Sequence, residues 1–309
     1  MKNTTKANLA IILQSLIIGF SFLFVKIALK SADTISLLAH RFTLATLCIL
    51  IYQFFNPNKI RISVSDWLKI IPFSIAYPIS FFLFQTIGLK MISSSEAGIV
   101  HAMAPIFTLI AAKIILKEQV KNLQKLLMVI SVSGVVFINA MNGFKIDNYS
   151  FLGFLFILIS AISFSVYNVL TKKLTKDYPV ISIVYVMSIT GCIVFNLISI
   201  VRHVVNNNIS AYFAPFSNPS FVWAILYLGV LSSLVSSLLS TYALGKLEAN
   251  KVGLLSNVST IVTILAGTLF LQESLHYYHY IGIIAILTGT IGFNLMKSPQ
   301  RDIKNGRAL

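Results

Sequence analysis

Ten stretches of this chain stay apolar for about as long as one α-helix needs to cross a bilayer, ~20 residues at 1.5 Å each. They are residues 7–29, 34–55, 67–89, 95–116, 123–141, 149–171, 179–201, 221–244, 250–271 and 277–296. In hydrocarbon every backbone N–H and C=O must be satisfied inside the protein, so only helices or closed barrels can span. Barrel strands would alternate in polarity over ~10 residues, and these runs do not. Of 309 residues, 57% are hydrophobic and 11% charged, against ~25% charged in soluble domains. The expected fold is an all-α polytopic membrane protein with ten transmembrane helices. The first run exceeds the ~7–15 residues of a signal-peptide core, so it reads as a retained first helix. Cys48 and Cys192 lie in apolar runs without metal-ligand spacing, so no metal, cofactor or disulfide is expected.

The chain is also duplicated. Residues 86–139 align without a gap on 241–294, with identities that include Thr86/Thr241, Gly98/Gly253, Thr108/Thr263, Glu118/Glu273, Gly134/Gly289 and Asn139/Asn294. Matched Gly, Glu and Asn carry more weight than matched aliphatics, because charged and polar residues are rare in such company. An earlier echo has Phe20/Phe164, Ser21/Ser165 and Asp33/Asp177. The surplus between the two offsets fits the long polar link 202–220. Residues 1–144 and 145–309 are thus expected to be two copies of one five-helix unit.

Charge sets the expected orientation. With the N-terminus in the cytoplasm, 18 Lys and Arg fall on that side, and Lys30, Lys90, Lys145 and Arg202 on the other. Both termini should be cytoplasmic in a multi-pass protein of the cell (inner or plasma) membrane. The net charge of +15 then reads as a collar facing anionic lipid, not as a nucleic-acid surface. Five helices per copy is an odd number, so the second copy must enter the bilayer from the opposite side. Such inverted repeats enclose a central cavity and recur among secondary transporters.

At this level the sequence resembles the drug/metabolite transporter superfamily, in its EamA-type ten-helix branch. The resemblance covers roughly 7–296. It is carried by Gly19-Phe-Ser-Phe-Leu-Phe-Val-Lys26, His40-Arg41-Phe42, Gly88 to Gly98, Ala104-Pro105-Ile-Phe-Thr108, Leu116-Lys117-Glu118, Tyr227-Leu-Gly229, Tyr242-Ala-Leu244, Glu273 and the Gly289 region. Two positions depart from the family pattern: Ile18, where Trp is common, and Thr260, where helix 9 often has Pro. The second loosens any expectation of symmetric kinks. Membership implies efflux or exchange of a small metabolite, such as an amino acid or related compound, by alternating access. The partners so implied are a small-molecule substrate and the bilayer, with the chain a monomer or weak homodimer. A non-transporting membrane sensor or assembly subunit is the second reading that the sequence allows. A membrane-embedded enzyme would need paired aspartates or H-E-x-x-H, and the sequence contains neither.

Ionisable groups inside a membrane are functional candidates. Arg41 and His101 fall within helices. Arg41 either ties helix ends together through backbone carbonyls or lines a path for a carboxylate- or phosphate-bearing solute. The nine acidic residues fall at or beside expected helix ends, which argues against a buried carboxylate relay and leaves His101 as the protonatable alternative. Neutral candidates for solute contact are Gln14, Ser21, Tyr77, Gln85, Tyr167, Asn168, Ser233, Tyr242 and Asn257. Ser232, Ser233, Ser236, Ser237 and Ser240 recur at 3–4 spacing, which equally suits close helix packing. Pro105, Glu118 and Glu273 are expected to be structural or gating residues. Ser93–Ser95 and Asn250 are expected to cap helices 4 and 9.

Overall fold

The computed structural model describes residues 3–60, 62–117, 122–141, 148–274 and 276–295. Glu118 lies outside them. Among the described residues the long helices are α1 (Asn3–Ala28), α2 (Thr34–Phe55), α3 (Val64–Met91), α4 (Ser94–Leu116), α5 (Asn122–Met141), α6 (Asn148–Leu174), α7 (Val180–Val205), α8 (Pro219–Lys246), α9 (Ala249–Leu271) and α10 (Tyr277–Leu295). Eight of these, all but α5 and α10, are long and apolar enough to cross a membrane, and no strand occurs among the described residues. The link between α7 and α8 forms two short turns, Ile209–Tyr212 and Ala214–Ser217.

Local chemistry sets the helix ends. Asp33 accepts from the N–H groups of Ile35 and Ser36 at the start of α2. Ser63 with Asp66, and Ser93 with Glu96, form capping boxes at the starts of α3 and α4. Asn250 does not cap α9: the helix starts at Ala249, Glu248 occupies the cap position, and Asn250 falls in the first turn. An extended Leu247 ends α8 at Lys246, two residues beyond the expected 244.

Backbone details recur at the 155-residue offset. Ile92 and Leu247 are both extended, and their N–H groups bond to the carbonyls of Gly88 and Ala243. Lys117 and Gln272 both end their helices in the left-handed region, at φ 54° and 56°, with N–H groups on Ala112 and Gly267. That conformation costs a non-glycine residue ~1 kcal/mol or more, so its double occurrence marks a retained design. Both α4 and α9 also break midway, at Ala102–Met103 and at Ser256–Asn257. The break in α9 therefore does not need the missing proline. Ser256 and Ser259 donate to the carbonyls of Gly253 and Ser256, and Thr260 donates to Gly98 across the α4–α9 contact.

Packing follows the same exchange. Helix α1 lies against α8 and α9, while α6 lies against α3 and α4; α2 pairs with α7, α4 with α9, and α5 with α10. At the α4–α9 contact a Cβ on Gly98 would meet Thr263 at 2.9 Å, and one on Gly253 would meet Thr108 at 3.2 Å. Each glycine thus faces the repeat-mate of the other's threonine, the close approach that small residues allow between membrane helices. Large apolar side chains such as Leu47, Phe54, Val129, Leu197 and Leu269 face outward, as expected when the solvent is lipid. An apolar groove of about 280 Å³ runs along that outer face between α4 and α6, lined by Phe107, Ile110, Ile114 and Ile162 among others.

Candidate functional site

The site begins with a fault in α3. Pro78 has no N–H to give and pushes the residue before it towards extended backbone. Tyr77 accordingly has φ −148° and ψ 121° inside the helix, and the turn Ile75–Ser80 is loosened. Beyond the fault α3 carries Phe81, Phe82 and Gln85, all buried. Facing them, α8 is loosened over Tyr227–Val235 and carries the serine row, with Ser236 and Ser237 donating to the carbonyls of Ser232 and Ser233.

Arg41 of α2 lies between these two walls with 0% exposure. Its Nε donates to Ser233 Oγ at 2.6 Å and its Nη2 to Ser232 Oγ at 2.7 Å. Its Cζ sits 3.9 Å from the centre of the Phe82 ring, a cation–π geometry. Nη1 is buried and has no partner. The ion pairs among the described residues are Lys69–Asp66 and Arg202–Asp33, so Arg41 has no carboxylate. Its contacts are hydroxyls and a ring, not the backbone carbonyls of a helix tie.

The cluster continues across to α6 and α4. The Tyr77 and Tyr167 rings stack with centres 4.2 Å apart. Their hydroxyls pair with Ser237 at 2.8 Å and Thr241 at 3.2 Å. His101 is enclosed by Phe164, Phe81 and Phe22 at 5.3, 5.8 and 6.0 Å, and its Nε2 has no partner. Gln85 and Asn168 are buried with neither amide atom bonded. Each such group costs ~1–3 kcal/mol if left unpaired. Here three such side chains, His101, Gln85 and Asn168, lie on the helices that hold the aromatic cluster.

Arg41, Tyr77, Tyr167, His101 and Ser233 are therefore joined in one contact network, with Gln85 on α3 and Asn168 beside Tyr167. Other candidates lie apart from it. Ser21 donates to its own helix at Ile18, and Asn257 donates to Ser131 of α5 at 3.4 Å. Gln14 is buried on α1 with Oε1 unpartnered; Tyr242 is half-buried and enters none of the bonds above. Pro105 lies in the first turn after the α4 break. The Glu273 N–H bonds to the Gly267 carbonyl at the end of α9. Its carboxylate reaches α4, accepting from the N–H groups of Ser94 and Ser95, both at 2.9 Å, and from both hydroxyls. The phenylalanines of the cluster, Phe22, Phe81, Phe82 and Phe164, escaped the search for polar groups. The available signal was register: Phe81 and Phe82 stand where α8 has Ser236 and Ser237.

The comparisons agree with this architecture. The EamA-like transporter family matches residues 5–140 and again 151–295. The chain is 47% identical over 291 residues to the uncharacterized transporter YcxC of Bacillus subtilis (strain 168), covering 94% of this chain and 93% of that one. It is 25% identical over 291 residues to an uncharacterized transporter of Archaeoglobus fulgidus, covering 92% and 96%. A solved crystal structure with 17% identity superposes with a TM-score of 0.73, covering 94% of this chain and 97% of that one, which shows a shared fold. The chain is a multi-pass membrane protein that belongs to the EamA-like transporter family.

Proposed function

We propose that the protein is a secondary transporter of the cell membrane that exports or exchanges a small metabolite by alternating access. In this reading ten helices span the bilayer as two inverted repeats, 1–144 and 145–309, with both termini in the cytoplasm and the solute received in the Arg41–Tyr77–Tyr167 cluster. One observation carries it: around the cluster and at the α4–α9 end, polar side chains of one copy bond to serines of the other. Arg41 to Ser232 and Ser233, Tyr77 to Ser237, and Glu273 to Ser94 and Ser95 each cross from one copy to the other. Such bonds can be released and remade when the halves rock, at ~1 kcal/mol net for the neutral Tyr77–Ser237 pair and ~1.5–3 kcal/mol for each bond to an ionised group. The recurring backbone details and the reciprocal packing support a two-fold exchange between the copies.

Two measurements test the reading. Single cysteines at the exposed positions Lys90 and Lys246, at the matching ends of α3 and α8, should react with an impermeant reagent from opposite faces of the membrane. Labelling from the same face would end the inverted arrangement. Proteoliposomes holding only this protein should show solute counterflow, and silence across amino acids, nucleobases and carboxylates would favour a sensor.

A further inference from the structure

We propose that Arg41 is the counter-ion for a small monocarboxylate with an apolar body, held between the aromatic wall of α3 and the serine row of α8. This rests on the transporter reading and names the class of solute. A guanidinium has five N–H donors in a planar fork. Here the Nε donor and one Nη2 donor reach serine hydroxyls, and Nη1 brings two more that reach nothing. Serine hydroxyls are neutral, so the positive charge is left uncompensated at 0% exposure. An unpaired buried ion carries a penalty of several kcal/mol, and a planar carboxylate on the free edge of the fork would offset it.

The number of charges narrows the class. Arg41 is the sole lysine or arginine in the buried set of the described residues. One cation matches one carboxylate; a phosphate monoester or a dicarboxylate would bring a second charge for which the cluster holds no second lysine or arginine. The remaining walls suit the body of such a solute. Phe81, Phe82, Phe164 and the stacked Tyr77–Tyr167 pair form a buried aromatic cluster against Arg41, and Gln85 and Asn168 bring buried amides without partners.

The test uses the full-length protein in detergent and reads ligand-dependent thermal stabilisation. The probes are acetate, phenylacetate and indoleacetate, each paired with its primary amide, together with phenyl phosphate. The expected result is at least ~10-fold tighter binding of the aromatic carboxylates than of their amides or of phenyl phosphate, about the worth of one charge-assisted bond. Arg41→Gln should bring the carboxylate-to-amide ratio to about one. Arg41→Lys, which keeps the charge, should weaken binding yet retain the preference, and it carries the test should Arg41→Gln not fold. Equal binding of acids and amides, survival of the preference in Arg41→Gln, tighter binding of phenyl phosphate, or no stabilisation by any carboxylate each overturns the assignment. Flux in proteoliposomes separates the two claims. A carboxylate preference without counterflow would remove the transporter reading and leave the anion site, and counterflow without the preference would do the reverse.

Discussion

Helices α3 and α8 hold the same place in the two copies and have opposite chemistry. At the 155-residue offset Tyr77 matches Ser232, Phe81 matches Ser236, Phe82 matches Ser237 and Gln85 matches Ser240, before the identity Thr86/Thr241 resumes. Both helices loosen at the same level, with α3 alone turning out of the helix at Tyr77, so duplication has kept the place of the fault while the inward faces diverged. One face became rings and the other hydroxyls, and they meet at the Tyr77–Ser237 bond and around Arg41. A symmetric pocket would receive a solute equally well in two orientations. An unsymmetric one can hold an apolar body against one wall and a charged head beside the other.

The sharpest way to break the comparison is to shave the same register position on each wall. Phe82→Ala removes a buried ring and the cation–π contact, and should cost about 3 kcal/mol in thermal unfolding of the detergent-solubilised protein. Ser237→Ala removes one hydroxyl bond to Tyr77 and should cost about 1 kcal/mol. Equal costs would mean that the two walls do not differ in kind. An effect comparable to that of Phe82→Ala is expected from Ser232→Ala combined with Ser233→Ala, which strips both partners from Arg41 and should cost about 3 kcal/mol through two bonds to a charged group. In an Arg41→Gln background that cost should fall by at least half. If it persists, the serines serve packing and the hydroxyl wall loses its assignment.

The fold was legible because hydrocarbon leaves a chain so few options: run length and charge placement gave the helices to within a few residues, as with α2, expected and found at 34–55. The duplication also showed in the sequence through Gly98/Gly253 and Thr108/Thr263, where each glycine turns out to face the other copy's threonine. The α9 break was not legible. Pro105 advertises the break in α4, whereas in α9 it is made by hydroxyls of Ser256, Ser259 and Thr260 on nearby carbonyls, and serine in a membrane helix has other uses. The site was half legible. Arg41 and Tyr77 stand out as polar groups at depth, but a phenylalanine in an apolar run carries no mark, and only geometry shows that Phe82 covers the guanidinium.

The smallest expected effect concerns another matched pair, Asp33 and Asp177. Asp33 caps α2 and pairs with Arg202 of α7, while Asp177 makes no ion pair among the described residues. Partial burial pushes the Asp33 carboxyl up, but the bonds from Arg202 and Ser36 outweigh it and hold it at about 2, below its ordinary 3.8. A depressed carboxyl stabilises the fold above the unfolded value and loses that contribution as pH falls. The gain should therefore be complete above about pH 4–5 and gone below about pH 2. Both side chains are 39% exposed, so solvent screening reduces it to about 0.5 kcal/mol. Asp33→Asn keeps an N-cap side chain and removes only the charge. Its melting temperature should lie slightly below wild type at pH 7, and the gap should close as the wild type is acidified towards pH 2. Asp177→Asn, which removes no ion pair among the described residues, should leave the melting temperature at pH 7 unchanged. A gap of equal size in both variants would mean that the pairing with Arg202 contributes nothing and that the two copies are alike at this position after all.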